Sequence, residues 1–411
     1  MKFDKFTLNN GLKVIVHKDT STTIVAVNIL YNVGARDEDP NKTGFAHLFE
    51  HLMFEGSKNI PSYDTPLQIA GGENNAFTTN DITNYYITLP KENIDTAFWL
   101  ESDRMLGLDL SEEKLNIQKK VVVEEFNQRY LNQPYGDAFL LLRPLAYKSH
   151  PYKWATIGKN IEHIKEANLE DVKDFFMKHY APNNAILSVS GNIETEDIKA
   201  LAEKWFGTIE SKQTLIRNLT KEPVQDKARK LTVERDVPID AIYKAFHMSA
   251  KNKKDYYTSD LISDLLSNGK SSRLYQNLVK DKKLFSEINA YITGDIDEGL
   301  FIVSGKLIEN IQMQDAEEAI NIELNKIITE KIETRELEKV KNKFESVYQF
   351  GQISTLNKAT DLAYYELLGD ANKINQEIEK YRSVSLEDIK TLAKNMFSPH
   401  NSSTLYYLSK K

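Results

Sequence analysis

The chain has 411 residues, of which 41% are hydrophobic and 27% charged, a composition typical of a globular protein with more than one domain. Its formal net charge of −7 argues against broad nucleic-acid binding, because phosphate contacts need a basic surface. Cysteine is absent, which excludes disulfides, thiolate metal sites and cysteine nucleophiles. No stretch approaches the roughly 18 apolar residues of a membrane span. The first residues lack the apolar segment of a signal peptide, so we expect a cytoplasmic protein, or a periplasmic one if a signal peptide has been removed.

The apolar pattern predicts an α+β protein. Residues 23–33 alternate and are rich in β-branched side chains, which predicts a strand, and residues 84–89 predict another. Helices are predicted at 44–54, 94–106, 111–130, 169–179 and 198–206. Further strands are predicted at 185–190 and 404–408, each after a helix that ends at a proline.

The helix predicted at 44–54 contains the sequence HLFEH at 47–51. His47 and His51 are four residues apart and share one helix face, so their imidazoles can bind the same zinc ion. Glu50 lies on that face too and can reach a water molecule on the metal. Zinc with an open position lowers the pKa of its water to about 7, and a nearby carboxylate can then take the proton. The spacing is the inverse of the H-E-x-x-H motif of zinc hydrolases.

The alternative interpretation of this motif is a surface helix with two solvated histidines. Apolar side chains crowd the motif, which indicates a largely buried helix: Phe45, Leu48, Phe49, Leu52, Met53 and Phe54. Because a buried carboxylate and buried, unpaired histidines are costly, and because metal binding offsets that cost, we favour zinc.

A catalytic zinc site needs a third protein ligand, which leaves the fourth position for water. The best candidate lies in the segment VVVEEF at 121–126, at the end of a helical stretch rich in Lys and Glu. Neighbours on a helix point about 100° apart, so one of Glu124 and Glu125 should face the core and the other solvent. Periodicity alone does not distinguish the two.

The chain contains an internal repeat. The sequence LEDVK at 169–173 recurs as LEDIK at 386–390, an offset of 217 residues (386 minus 169). A second match relates AFTTNDI at 76–82 to AYITGDI at 290–296, with an offset of 214 (290 minus 76). The two offsets differ by a short deletion.

The repeat indicates a duplicated domain with one active copy. Shifting the zinc motif by 217 residues places DLLSN at 264–268 opposite it, where the apolar positions persist and the histidines and glutamate do not. A polar, charged segment at 211–230 contains a proline and reads as an interdomain linker. We therefore predict a zinc-bearing catalytic domain at 1–210 and a homologous inactive domain at 231–411.

Together these segments resemble the pitrilysin-type inverzincin metallopeptidases, in the branch that includes mitochondrial processing peptidase and its bacterial relatives. The resemblance is carried by FTLNNGLKV at 6–14, GFA at 44–46, the zinc motif, MFEGS at 53–57, GENNAFT at 72–78 and VVVEEF at 121–126.

The resemblance implies a zinc-dependent endopeptidase or oligopeptidase. It selects Glu125 as the third zinc ligand and Glu50 as the general base. It also implies that an extended peptide substrate pairs with the strand edge at Asn75, Ala76 and Phe77, a segment that would otherwise predict only an ordinary hairpin strand. The two homologous α+β domains are then expected to form a clamshell half around a closed peptide chamber.

Two departures from the family pattern stand out. Members often carry a second glutamate seven positions before the ligand, where this chain has Gln118. Members also carry an Arg and a Tyr, seven apart, that bind substrate carbonyl groups, and the expected positions hold Val279 and Ser286. Arg273 and Tyr275 lie nearby but are only two apart. Unless the alignment is displaced by a few residues, we expect the zinc-bearing subunit of a heterodimer whose homologous partner supplies the Arg and Tyr, with a homodimer as the alternative.

Three other functions compete with a peptidase. A non-catalytic scaffold or binding subunit of the same family would need broken zinc ligands, and the motif is intact. The intact motif equally disfavours a core protein of a membrane complex. An unrelated zinc hydrolase, such as an amidase, is disfavoured by the hairpin and the duplication.

Overall fold

The computed structural model describes residues 1–213 and 217–410, and within them the chain forms two compact units, each with its own sheet. Unit 1 comprises Met1–Phe126, Trp154–Leu219 and Tyr348–Asn375, and unit 2 comprises Asn127–Lys153, Thr220–Val347 and Gln376–Lys411. Of the predicted linker at 211–230, residues 214–216 lie outside the described residues.

The strands of the described residues, in chain order, are β1 (Asp4–Thr7), β2 (Lys13–Lys18), β3 (Ile24–Tyr31), β4 (Glu73–Thr78), β5 (Thr83–Pro90), β6 (Ala185–Gly191), β7 (Arg229–Arg235), β8 (Ala241–His247), β9 (Phe285–Ile292), β10 (Leu300–Leu307) and β11 (Ser402–Ser409). The α-helices are α1 (Phe45–Leu52), α2 (Asp64–Ile69), α3 (Ile94–Leu106), α4 (Glu112–Phe126), α5 (Ala138–Ala146), α6 (Glu162–Lys165), α7 (Leu169–His179), α8 (Thr195–Phe206), α9 (Lys254–Ser267), α10 (Met313–Thr329), α11 (Thr334–Gly351), α12 (Thr355–Leu367), α13 (Glu377–Arg382) and α14 (Leu386–Met396).

The six-stranded sheet of unit 1 has the order β1-β2-β6-β3-β5-β4. Strand β3 lies inside the sheet, and its residues 25–31 are all buried, which explains its almost continuously apolar sequence. Strands β2 and β6 pair in parallel, while the other pairs are antiparallel. Strand β4 forms one edge of the sheet and packs beside α1.

The five-stranded sheet of unit 2 repeats this topology. Its order β7-β11-β8-β10-β9 matches β2-β6-β3-β5-β4, and its parallel pair, β7 with β11, stands in the same place. The helices follow in the same chain order too, with α9 in the place of α1 and α11 in the place of α4. The predicted α+β fold with an internal duplication is therefore confirmed.

Each sheet is covered by a helix from the other half of the sequence. In unit 1, α12 packs on β3, β6 and β2, where Leu362 and Ala363 join a buried cluster with Ile15 and Leu30. In unit 2, α5 packs on β11, β8 and β7. The compact units thus differ from the predicted domains 1–210 and 231–411, because Asn127–Lys153 belongs to unit 2 and Tyr348–Asn375 to unit 1. The apolar face of each sheet is buried by a helix that lies far away in sequence.

The predicted elements agree with the observed ones apart from one helix. Helices α3 and α7 have the predicted bounds, and β3, β5, β6, β11, α1 and α8 differ from prediction by a few residues at their ends. The helix predicted at 111–130 instead changes its winding at Phe126, after which Asn127–Leu131 continues as a π-helix. Among the described residues, no helix combines the length and apolar character that a bilayer crossing requires.

Candidate metal centre

The chain enters α1 through a glycine. Gly44 has a φ of +91°, in the left-handed region that side chains other than glycine avoid. A Cβ atom at this position would also lie 2.7 Å from the carbonyl oxygen of Ile157. Both the turn and the close approach therefore require glycine immediately before the predicted zinc motif.

A buried carboxylate caps the same end of α1. The two carboxylate oxygens of Glu38 accept hydrogen bonds from the backbone amides of Gly44 and Ala46, each at 2.9 Å. The indole Nε1 of Trp154 donates to Glu38 as well, at 3.1 Å. Burial raises the pKa of Glu38 to about 8. Sequence reasoning missed Glu38, since nothing in its neighbourhood distinguishes it from an ordinary surface acid.

The histidines of α1 lie side by side at the edge of the buried core. Leu48 and Phe49 are fully buried, whereas the side chains of His47 and His51 are 13% and 24% exposed. The two imidazole ring centroids are 4.8 Å apart. This partial burial excludes the alternative of two solvated surface histidines and leaves access from solvent.

Helix α4 supplies a carboxylate to this pair. Glu124 is exposed, whereas the side chain of Glu125 is 18% exposed and faces α1. One oxygen of Glu125 lies 3.6 Å from Nε2 of His47 and 3.4 Å from Nε2 of His51. The apolar side of α4 anchors this helix through buried Leu115 and Val122. The ambiguity that periodicity left between the two glutamates is resolved by tertiary packing.

The geometry of the three side chains fits zinc. Each offers one ligand atom, and these atoms lie within 4.8 Å of one another. In a tetrahedral site with zinc–ligand bonds of 2.0–2.2 Å, neighbouring ligand atoms are about 3.4 Å apart. The 3.4 and 3.6 Å separations around Glu125 are close to this value. No other group of His, Cys, Asp or Glu in the described part of the chain has this arrangement.

Glu50 connects α1 to the edge of the sheet. Its carboxylate accepts a hydrogen bond from the hydroxyl of Thr78, at 2.6 Å. Thr78 ends β4, the strand that carries Asn75, Ala76 and Phe77. Asn75 and Phe77 are exposed and Ala76 is half-buried, so the backbone of this edge strand is accessible beside Glu50.

Three residues depart from the family pattern, and each contacts other residues of its own unit: Gln118, Val279 and Ser286. The amide of Gln118 donates to the carboxylate of Glu55, which follows α1. In unit 2, Val279 packs against the core, and Ser286 donates to the carbonyl of Lys306.

Arg273 and Tyr275, the residues near the expected Arg–Tyr positions, both lie within unit 2. The guanidinium of Arg273 makes two hydrogen bonds of 2.7 Å to the carboxylate of Glu336. Tyr275 begins the π-helix Tyr275–Asp281. The bidentate bond to Glu336 occupies Arg273, so a substrate carbonyl would have to displace it.

Comparisons with known proteins agree with this geometry. The family "Insulinase (Peptidase family M16)" matches residues 13–157, and "Peptidase M16 inactive domain" matches residues 166–344. The chain is 30% identical over 415 residues to the "zinc protease PqqE" of Helicobacter pylori, covering 98% of this chain and 92% of that protein. It is 26% identical to the "uncharacterized zinc protease YmxG" of Bacillus subtilis, covering 96% of this chain and 95% of the relative.

The fold is shared with a solved structure as well. The crystal structure of a protease from Helicobacter pylori superimposes with a TM-score of 0.93 at 30% identity, covering 99% of both chains. The family match, the similarity to proteins called zinc proteases and the His-His-Glu group lead to one conclusion: the chain belongs to the insulinase family, peptidase family M16, and is a zinc metallopeptidase.

Proposed function

We propose that this chain is an endopeptidase or oligopeptidase whose zinc is held by His47, His51 and Glu125, with Glu50 as its general base. The observation that carries the proposal is the convergence of three ligand atoms within 4.8 Å, one of them from a helix 74 residues further along the chain (125 minus 51). Three protein ligands leave a coordination position open, as catalytic zinc sites do.

The residues of the chain divide the chemistry among them. When bound, zinc acts as a Lewis acid on the peptide carbonyl and lowers the pKa of water. Glu50 accepts the proton of the attacking water and returns it to the amine of the departing peptide. The hydrogen bond from Thr78 orients the Glu50 carboxylate for both transfers. The buried Leu48 and Phe49 keep the helix, and hence the spacing of the two imidazoles, rigid.

The substrate binds as an added strand on β4, through Asn75, Ala76 and Phe77. This proposal is supported by the position of β4 at the edge of its sheet and by the contact between its last residue and Glu50. Main-chain pairing aligns a peptide carbonyl without selecting its side chains. The amide of Ala76 donates to Oδ1 of Asn75 at 2.8 Å, so a bound peptide would compete with this side chain for the amide.

A homologous partner subunit supplies the Arg–Tyr pair that binds substrate carbonyl groups. The proposal is supported by Val279 and Ser286 at the expected positions and by the bond between Arg273 and Glu336. In a heterodimer of this kind, the two halves of this chain would be one side of a clamshell around a closed peptide chamber. A homodimer would have to build the chamber without this pair.

The first experiment tests the zinc peptidase. The purified chain is analysed for metal, and its cleavage of an unstructured peptide is followed with and without a chelator. We expect stoichiometric zinc and cleavage that stops on chelation and returns when zinc is added. A chain that binds no zinc, or cleavage that is insensitive to the chelator, would contradict the proposal.

The second experiment tests the partner. Turnover by the chain alone is compared with turnover after addition of a homologous chain that carries Arg and Tyr seven residues apart, and the mass of the complex is measured. We expect slow turnover alone and a large increase with the partner. Full turnover by the chain alone would remove the partner from the proposal and leave the zinc site intact.

A second candidate function is a non-catalytic binding subunit of the same family. It is favoured by the match of residues 166–344 to the inactive domain. The zinc group, however, lies within residues 13–157, which match the insulinase family itself. A chain that binds its partner but holds no zinc and cleaves no peptide would support this candidate.

A further inference from the structure

We infer that Glu55 and Gln118 form a positioning pair that holds α4, and with it Glu125, at the distance from α1 that zinc binding needs. The inference rests on the proposed function, in which Glu125 and His51 bind the same ion. In this role neither Glu55 nor Gln118 binds the zinc. Both act on it through the position of α4.

Two side chains of α4 hold the turn that follows α1. The amide of Gln118 donates to the carboxylate of Glu55, and Nζ of Lys114 donates to the carbonyl oxygen of Glu55 at 2.8 Å. Glu55 itself is fixed to the helix end, because its amide donates to the carbonyl of Leu52 at 3.1 Å. Both ends of the link between α1 and α4 are thus well defined.

The positions of these residues relate the link to the metal group. Lys114, Gln118 and Glu125 fall within about 40° of one another around α4, so they share one face of the helix. Glu55 lies four residues, about one turn, after His51. A shift of α4 that broke the Gln118–Glu55 contact would therefore also move Glu125 relative to His51.

The contact needs an amide donor on one side and a carboxylate acceptor on the other. A carboxylate accepts hydrogen bonds, and the amide of Gln118 offers it a donor. A carboxylate at position 118 would instead face the carboxylate of Glu55, and two like charges at hydrogen-bond distance repel. Exchanging the two groups, by E55Q together with Q118E, restores one donor and one acceptor at the same place.

The test measures the dissociation constant of zinc by competition with a chelator, in wild type, Q118E and the exchanged variant E55Q/Q118E. We expect Q118E to bind zinc about 10-fold more weakly, in the range typical of lost outer-shell partners. The exchanged variant should return to within about 3-fold of wild type, as expected if the pair acts as a unit. N116D is the matched control, because it makes the same amide-to-carboxylate change on an exposed position of α4.

The outcomes separate this inference from the proposed function. Wild-type affinity in Q118E, or an exchanged variant that binds no better than Q118E, would overturn the positioning pair alone. A loss of affinity in N116D equal to that in Q118E would overturn it too, since added charge anywhere on α4 would then suffice. A wild-type chain that binds no zinc would overturn both the positioning pair and the proposed function. Circular dichroism on each variant shows that the measured affinities belong to folded protein.

Discussion

The two homologous units place the same helix beside the same strand, yet within the described residues only unit 1 gathers side chains that could bind a metal. In unit 1, α1 presents His47 and His51 next to β4. In unit 2, the equivalent helix α9 lies beside β9, and the repeat places Asp264 and Asn268 at the corresponding positions. The scaffold is therefore insufficient for a metal centre, and a few side chains decide its presence.

The helix packed beside the motif, α4 in unit 1 and α11 in unit 2, adds a second difference between the units. In unit 1, α4 brings the carboxylate of Glu125 to His51. In unit 2, α11 stands in the place of α4, and Nζ of Lys343 donates to the side-chain oxygen of Asn268. A positive charge thus stands beside Asn268, the residue that the repeat relates to His51. Coulomb repulsion by Lys343 would disfavour a cation there, in addition to the missing imidazoles.

In both units a side-chain hydrogen bond connects the helix of the motif (α1 or α9) to the edge strand (β4 or β9), but the bonded groups differ. In unit 1, the carboxylate of Glu50 accepts from the hydroxyl of Thr78. In unit 2, the hydroxyl of Ser267, at the position equivalent to Glu50, donates to the carbonyl of Ala290 on β9. The contact connects helix and strand in both units, but only Glu50 offers a carboxylate, the group that can act as a general base.

The strongest test of the comparison is the replacement of Glu50. E50Q keeps the shape of the side chain and removes the base, so we expect kcat to fall by about 1,000-fold, within the range of general acid–base catalysis. Zinc content should stay unchanged, since Glu50 is not a ligand in the proposal. The measurement is steady-state peptide cleavage together with metal analysis. S267A, at the equivalent position of unit 2, is the control, and retained turnover in E50Q would show that another group is the base.

Removal of the His51 imidazole gives the next largest effect, and the matched change at Asn268 of unit 2 is its control. H51A leaves two ligands, and we expect zinc affinity to fall by more than about 100-fold, beyond what outer-shell changes cost. N268A, at the equivalent position, should bind zinc as the wild type does. Chelator competition measures both. Equal losses in the two variants would mean that the metal is not confined to unit 1.

The buried Glu38 predicts an unusual pH dependence of unit 1. Its pKa, raised by burial to about 8, lies above the value of 4.5 that the group has when unfolded. The folded state therefore holds its proton more tightly, and stability falls as pH rises between these values. For zinc-free protein, we expect the free energy of unfolding to fall by about 2 kcal/mol between pH values of about 5.5 and 7.5. E38Q should lose this slope in denaturant titrations, and an unchanged slope would assign it to another group.

An acid of unit 2 should show the opposite sign and a smaller effect. Burial alone would raise the pKa of Glu317, but hydrogen bonds from Lys244 and Tyr406 lower it to about 2. The stability it contributes is present above the unfolded value of 4.5 and is lost as pH falls towards 2. Between pH values of about 5 and 3.5 we expect a loss of about 1 kcal/mol that E317Q does not show. A variant with the wild-type acid response would contradict the assignment.

Much of this fold follows from local pattern. The β-branched, apolar run at β3 and the helical spacing of α3 and α7 predict these elements within a few residues, because buried side chains must match the period of their backbone. The repeat predicts the second sheet. Neither the local pattern nor the repeat predicts that α5 packs on the sheet of unit 2 and α12 on the sheet of unit 1. An amphipathic sequence shows that a helix has an apolar face, but not which sheet that face covers.

In the candidate metal site, too, some features follow from the sequence alone and others depend on tertiary structure. The chain alone determines that His47, Glu50 and His51 share one helix face, because a four-residue spacing is a local property of the α-helix. The choice of Glu125 over Glu124 and the capping of α1 by Glu38 depend on tertiary structure. These contacts join segments far apart in sequence, and their geometry is determined only when the helices pack against one another and exclude water.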